Sequence, residues 1–202
     1  MYSKLPNLVL GFHGCDISTY DEVLHHHRPL NPSDNDYDWL GPGIYFWEQN
    51  LERALQWAKD AAKRKNSRVK TPAVIGAVID LGFCLNLMDS RNIEILQKQY
   101  ELFSLQMSMI GAEMPENSNL KNDSDYLLRK LDCAVIKNLH VRRASKGEEA
   151  FDSVRGVFVE GAQIYKNSGF KNKTHIQLAI MNPNCIKGYF APNEFNDGFS
   201  IP

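Results

Sequence analysis

The hydrophobic pattern along the chain changes period several times, and each change predicts an element. Between Asn7 and Phe12 the apolar residues run almost unbroken, the pattern of a buried strand. Tyr20 to His27 reads as a short helix ending near Pro29. Residues 28–43 are rich in Pro, Asn, Asp and Gly and read as a long loop, a feature of compact domains that usually serves function. From Asn50 to Lys65, Leu51, Ala54, Leu55, Ala58 and Ala62 recur at helical spacing. Val74 to Gly82 is an apolar, β-branched run closed by glycine, a strand. Ile93, Leu96, Tyr100, Phe103, Met107 and Ile110 then form a stripe spaced three and four apart, which predicts a helix. A polar connector at 113–123 follows, with Asp123 or Ser124 placed to cap a second helix carrying Leu127, Leu128, Leu131, Val135 and Leu139. Val154 to Val159, Ile176 to Ile180 and Ile186 to Phe190 read as closing strands. There is no internal repeat and no low-complexity segment.

Composition narrows this picture without changing it. A chain of 202 residues buries roughly 70% of its unfolded surface in one core and needs no staple. Cys15, Cys84, Cys133 and Cys185 are scattered with no C-x-x-C pair, so neither a disulfide framework nor a zinc site is expected, and a reducing cytoplasm is the simple reading. No signal-peptide h-region and no run of about eighteen apolar residues is present, so no membrane partner is expected. The net charge of −1 exerts no overall pull on nucleic acid or acidic lipid. Basic residues do cluster at Lys59 to Lys70 and at Lys137 to Lys146; the first reads as the outer face of a helix and its exit, with a nucleic-acid surface as the alternative. His25, His26 and His27 cannot chelate one ion from successive helical positions and read as a solvated helix end.

Three short segments carry candidate chemistry: Phe12-His13-Gly14, Gly41-Pro42-Gly43-Ile44-Tyr45-Phe46, and Thr174-His175-Ile176-Gln177-Leu178-Ala179-Ile180. Each sets one polar or aromatic residue in an apolar, glycine-flanked strand, which is how a site is mounted on a rigid sheet. Taken alone, His13 is a satisfied structural histidine or a ligand contact, Tyr45 a core aromatic or an exposed stacking face, and Gln177 a polar face residue or a hydrogen-bonding group. Gly14 opens the backbone to close approach.

In this order the segments resemble the ADP-ribosyltransferases, closest to the poly(ADP-ribose) polymerase and diphtheria-toxin-like branch, whose site is a His, a Tyr and usually a Glu from three successive motifs. The helix after Tyr45, the strand Val74 to Gly82 and the strand near Ile186 and Tyr189 also fall where that family has them. The likeness spans about residues 7–82 and 154–191. It implies an α+β domain over residues 1–202 with a split antiparallel sheet and a helical insertion at about 89–152. It implies NAD as co-substrate and no metal. His13 would donate a hydrogen bond to a ribose hydroxyl, Gly14 would offer backbone groups to the nicotinamide carboxamide, and Tyr45 would stack on nicotinamide.

The chain departs from that pattern at three places. Cys15 stands where a small hydroxyl residue is common, and Arg53 stands near the position of a Ser that touches the nicotinamide amide. Gln177 replaces the Glu. Gln accepts a hydrogen bond at the ribose 2′-hydroxyl as positive charge develops on the sugar, but takes up no proton at neutral pH, so polymer elongation is not expected. Glu160 is the nearest carboxylate in sequence, either a solvated strand-end residue or an acceptor-side base; Arg155 is either a pyrophosphate clamp or an exposed cation. The expected activity is mono-ADP-ribosyl transfer from NAD to a protein or nucleic acid, with NAD hydrolysis and an inactive binding module as alternatives. A small transferase of this kind is reminiscent of toxins and anti-phage effectors, by analogy only.

Overall fold

A computed structural model describes residues 8–119 and 128–193. In chain order its elements are β1 (Val9–Asp16), α1 (Ile17–Leu24), β2 (Ile44–Glu48), α2 (Leu51–Ala62), β3 (Pro72–Ile79), β4 (Cys84–Asn86), α3 (Ser90–Met109), β5 (Asn117–Ser118), β6 (Leu128–Arg129), α4 (Lys130–Ser145), β7 (Ser153–Phe158), β8 (His175–Ile180) and β9 (Ile186–Phe190). Seven strands form one sheet in the order β4-β7-β8-β2-β1-β3-β9, antiparallel except for the β4–β7 pair. The architecture is therefore α+β, the class the resemblance implies.

Several boundaries differ from expectation for identifiable reasons. β1 continues past Phe12 to Asp16 because it pairs residue for residue with β3, from Val9↔Ile79 to Asp16↔Pro72; Asn7 lies outside the described residues. His13 is thus a mid-strand residue rather than a strand end. α1 starts at Ile17, before the expected Tyr20, because Asp16 caps it: one carboxylate oxygen accepts from the Ser18 N–H at 3.0 Å. The other accepts from the N–H groups of Lys70 at 2.6 Å and Thr71 at 2.8 Å, tying the turn before β3 to the end of β1. His25, His26 and His27 lie exposed past the end of α1, as a solvated helix end should. The second insertion helix begins only at Lys130, and Leu128 belongs to the short β6 instead. The expected caps Asp123 and Ser124, and Leu127, lie outside the described residues.

The two sheet faces carry separate cores. On one, Ile44, Phe46, Ile75, Ala77, Ile79, Leu178 and Ile180 alternate along their strands and pack with Val23 of α1. The other face is covered twice. α2 lies over β1 and β3 through Ala54, which meets Trp47 and Val74. α4 lies over β7 and β8, where Ile136 and Leu139 join Trp39, Leu40, Leu85, Phe151, Val154, Phe158 and Ala179. Burying each such aliphatic or Phe side chain contributes about 1.5–3 kcal/mol, so the insertion helix belongs to the core of the domain. α3 packs on α4, joined by Gln99, which donates to Asn138 at 2.5 Å.

Candidate functional site

β1, β2 and β8 are neighbours in the sheet, so the strands carrying His13, Tyr45 and Gln177 lie side by side. β2 pairs with β8 over four positions, from Ile44↔Ile180 to Trp47↔Gln177. β1 and β2 hold only Gly11↔Glu48 and Phe12↔Trp47 in register. Beyond these the strands part, and a cleft of about 580 Å³ opens whose lining includes His13, Gly14, Gly43, Tyr45 and Gln177. One bond crosses the gap: the His13 ring meets the Tyr45 carbonyl at 2.7 Å through Nδ1. A carbonyl only accepts, so Nδ1 carries the proton. Burial holds the His13 pKa below its ordinary value against the opposing pull of that bond, and the neutral ring keeps a lone pair on Nε2.

Tyr45 lines the cleft, and its hydroxyl is committed to the loop before it. The oxygen accepts from the Leu40 N–H at 3.1 Å and donates to the Gly41 carbonyl at 2.8 Å. Burial pushes its pKa up, so the phenol stays protonated. Gly14 lines the cleft and lies close to α2. A side chain there would sit 2.3 Å from the Ala54 carbonyl of α2. Its small size therefore admits the helix, and the approach it permits on that face is α2's own.

Gln177 is fixed by a residue that sequence reasoning left without a role. The Trp39 indole, which can only donate, reaches Gln177 Oε1 at 2.6 Å. Oε1 keeps one lone pair, and among the described residues Nε2 has no partner. Trp39 lies against Gly156, where a side chain would come within 2.7 Å of the indole. Gly156 is the register partner of Gln177, so a glycine on β7 makes room for the ring that orients the amide on β8.

The loop at 28–43 roofs this end of the cleft and is ordered by its own bonds. Asp38 accepts from the Ser33 hydroxyl and the Asn35 N–H, both at 2.7 Å. α4 holds the loop from outside through Lys137–Asp34 at 2.6 Å and Lys130–Asp36 at 2.7 Å. The guanidinium of Arg129 lies 4.9 Å from the centre of the Trp39 ring and 4.3 Å from that of Phe158.

Arg53 and Glu160, separate in the sequence reading, form an ion pair inside the cleft with side chains 10% and 15% exposed. Glu160 is therefore neither solvated nor a free base. Arg155 is no clamp: it points from the opposite sheet face and donates to both oxygens of Glu48, at 2.5 and 2.7 Å. Cys15 is buried, and burial pushes its thiol pKa up to about 12. Three further lining residues, Trp57, Phe158 and His175, went unassigned. The period of two along β8 puts His175 on the face of Gln177, and Trp57 follows Arg53 by one helical turn on α2, so both were legible from spacing. His175 donates from Nδ1 to the Lys173 carbonyl at 2.7 Å, and burial lowers its pKa to about 4.

Among the described residues no cluster of three His, Cys, Asp or Glu side chains is arranged to hold a metal ion. No described helix is long and apolar enough to cross a membrane. Compared with known sequences, the chain is 27% identical over 194 residues to an uncharacterized protein of Methanocaldococcus jannaschii, an alignment covering 87% of this chain and 83% of that protein. No protein-family model matches the chain. No solved structure matches it.

Proposed function

We propose that the cleft binds NAD and that the protein is a mono-ADP-ribosyltransferase with the split-sheet ADP-ribosyltransferase fold. The observation that carries this reading is the parting of β1 from β2 next to β8, which gathers His13, Tyr45 and Gln177 around one opening. Nicotinamide would lie on the Tyr45 ring, an offset stack worth roughly 0.5–1.5 kcal/mol beyond burial. The neutral His13 ring would accept from a ribose hydroxyl through Nε2, since Nδ1–H is already committed; the resemblance had this histidine donating. Gln177 would hold the 2′-hydroxyl through the remaining lone pair of Oε1, its amide plane fixed by Trp39, while positive charge grows on the ribose as the bond to nicotinamide breaks.

Glu160 is tied to Arg53, so this carboxylate is not free to deprotonate successive ribose hydroxyls. That supports one transfer per acceptor, or hydrolysis, over chain growth. The same pair favours a second reading, a fold that binds a nucleotide without chemistry, because a transferase with its nearest carboxylate neutralised has little base strength.

Nicotinamide release from NAD separates the two. Wild-type protein should release nicotinamide, and Gln177→Ala should slow release by roughly a hundredfold to a thousandfold while changing NAD affinity much less, as for loss of one transition-state hydrogen bond. A wild-type protein that binds NAD but releases no nicotinamide with any acceptor, or a Gln177→Ala variant of full activity, would overturn the transferase.

A further inference from the structure

One part of the same cleft, a compartment lined by the Arg53–Glu160 pair, Trp47, Trp57 and His175, holds none of the residues given a donor contact above. The rings form a continuous surface: Trp47 and Trp57 have centroids 5.6 Å apart, Trp47 and His175 5.9 Å. Arg53 is 9% exposed, His175 6% and Trp47 4%. Yet Arg53 Nε and Nη1, Trp47 Nε1 and His175 Nε2 have no hydrogen-bond partner. Buried polar atoms are almost always paired, and three of the five described residues with such orphans line this one space. The orphans are of both senses. The arginine and indole atoms donate; His175 Nε2 is a lone pair, because its Nδ1 proton is given to the Lys173 carbonyl.

That set of groups selects the ligand. Glu160 is paired with Arg53 and Asp60 with Lys173, so these charges are spent on one another and the lining selects neither an anionic head nor a cation. What fits is a neutral, flat ring with a carbonyl beside an N–H, stacked on indole: the edge of guanine, uracil or thymine. Outside the compartment the surface is basic. Lys63, Arg64, Lys65, Arg68 and Lys70 are exposed on the exit from α2, with Asp60 as the acidic neighbour, paired to Lys63 and Lys173. Stacking rings beside a cationic track are the means by which proteins hold single-stranded nucleic acid.

We propose that this compartment takes one unstacked nucleobase of a single-stranded nucleic acid, whose phosphates run along the basic exit of α2. Resting on the reading of the cleft as an NAD site, that base is the acceptor. A base N–H nitrogen hydrogen-bonded to His175 Nε2 attacks C1′ of the NAD ribose. The C1′–nicotinamide bond breaks, neutral nicotinamide leaves with the bonding electron pair, and the N–H proton passes to solvent.

The test is fluorescence anisotropy of the full chain with fluorescein-labelled single-stranded DNA and RNA of about twelve nucleotides. Both should bind, more weakly as salt rises. Trp57→Ala should weaken binding about tenfold through loss of one stack. Arg64→Glu, at an exposed position, should weaken binding and flatten the salt dependence with the circular dichroism spectrum unchanged, which keeps the idea testable should Trp57→Ala unfold. With labelled NAD and cell extract the label should be released by nuclease. Absence of single-strand binding, full binding by Arg64→Glu, label released only by protease, or displacement of the oligonucleotide by free nicotinamide would each overturn the proposal. Oligonucleotide binding that depends on Trp57 and Arg64 without any nicotinamide release would leave the base site standing and remove the transferase reading instead.

Discussion

Tyr45 has two roles to separate, since it lines the cleft and its hydroxyl bonds Leu40 and Gly41. Tyr45→Phe keeps the ring and should retain NAD binding while losing about 1–3 kcal/mol of stability, because the buried Leu40 N–H is left unpaired. Tyr45→Ala should lose both, and thermal melts alongside NAD titration distinguish the two effects. Trp39→Phe removes the N–H that fixes Gln177; it should lower nicotinamide release with little change in NAD affinity, the signature of a group positioned for the transition state. The histidines predict a pH dependence. Burial lowers the pKa values of His13, His140 and His175 in the folded protein, the last to about 4. The unfolded chain, with histidine near 6.5, then binds protons more tightly than the folded one. Stability from these neutral rings should be complete above about pH 6.5 and decline as pH falls through that value towards 4. Melting temperatures measured between pH 7.5 and 4.5 should fall, and His175→Phe, which keeps an aromatic ring against Phe158, should flatten the decline.

At the scale of elements, α4 matters for where its charges are spent. The sequence shows a basic cluster at Lys137 to Lys146; in the fold Lys137 pairs with Asp34, Arg142 bonds Gln99, and Arg143 bonds Glu148 while covering Phe83 and Phe151. Lys137 holds the loop in place, and Arg142 holds α3. An exposed pair contributes only about 0–1 kcal/mol, so the double variant Lys130→Glu, Lys137→Glu should melt close to wild type. Like charges would then push the loop off α4, and NAD binding should weaken, as isothermal titration would detect. Ile136 is the apolar counterpart: it is buried, and it crowds Gly41 closely enough that a side chain there would sit 2.8 Å from it. Ile136→Ala should cost about 2–5 kcal/mol by opening a cavity, measured by urea unfolding.

For the whole molecule, the cleft lies between two halves of one sheet, each covered by its own helix, α2 on β1 and β3 and α4 on β7 and β8. Replacing residues 89–150 with a short linker should therefore not leave a working core domain. Leu85, Val154 and Trp39 would lose their cover, and the product should show weak near-ultraviolet circular dichroism and bind a hydrophobic dye. What the sequence determined by itself was local: the strand and helix pattern over most of the chain, which follows from periodicity and from glycine acting over a few residues. The α+β class and the choice of His13, Tyr45 and Gln177 came from the family resemblance. The start of α4, the parallel edge strand β4 and the ends of β1 were not legible, because a partner strand or a cap sets them. The pairings that decide the chemistry were beyond it as well. Nothing near Glu160 announces Arg53, and nothing near Gln177 announces Trp39, because each pair is closed by strands and helices that meet only when the sheet forms. Only the tertiary structure brings those residues into one cleft, and the burial that comes with it sets the protonation of His13 and His175.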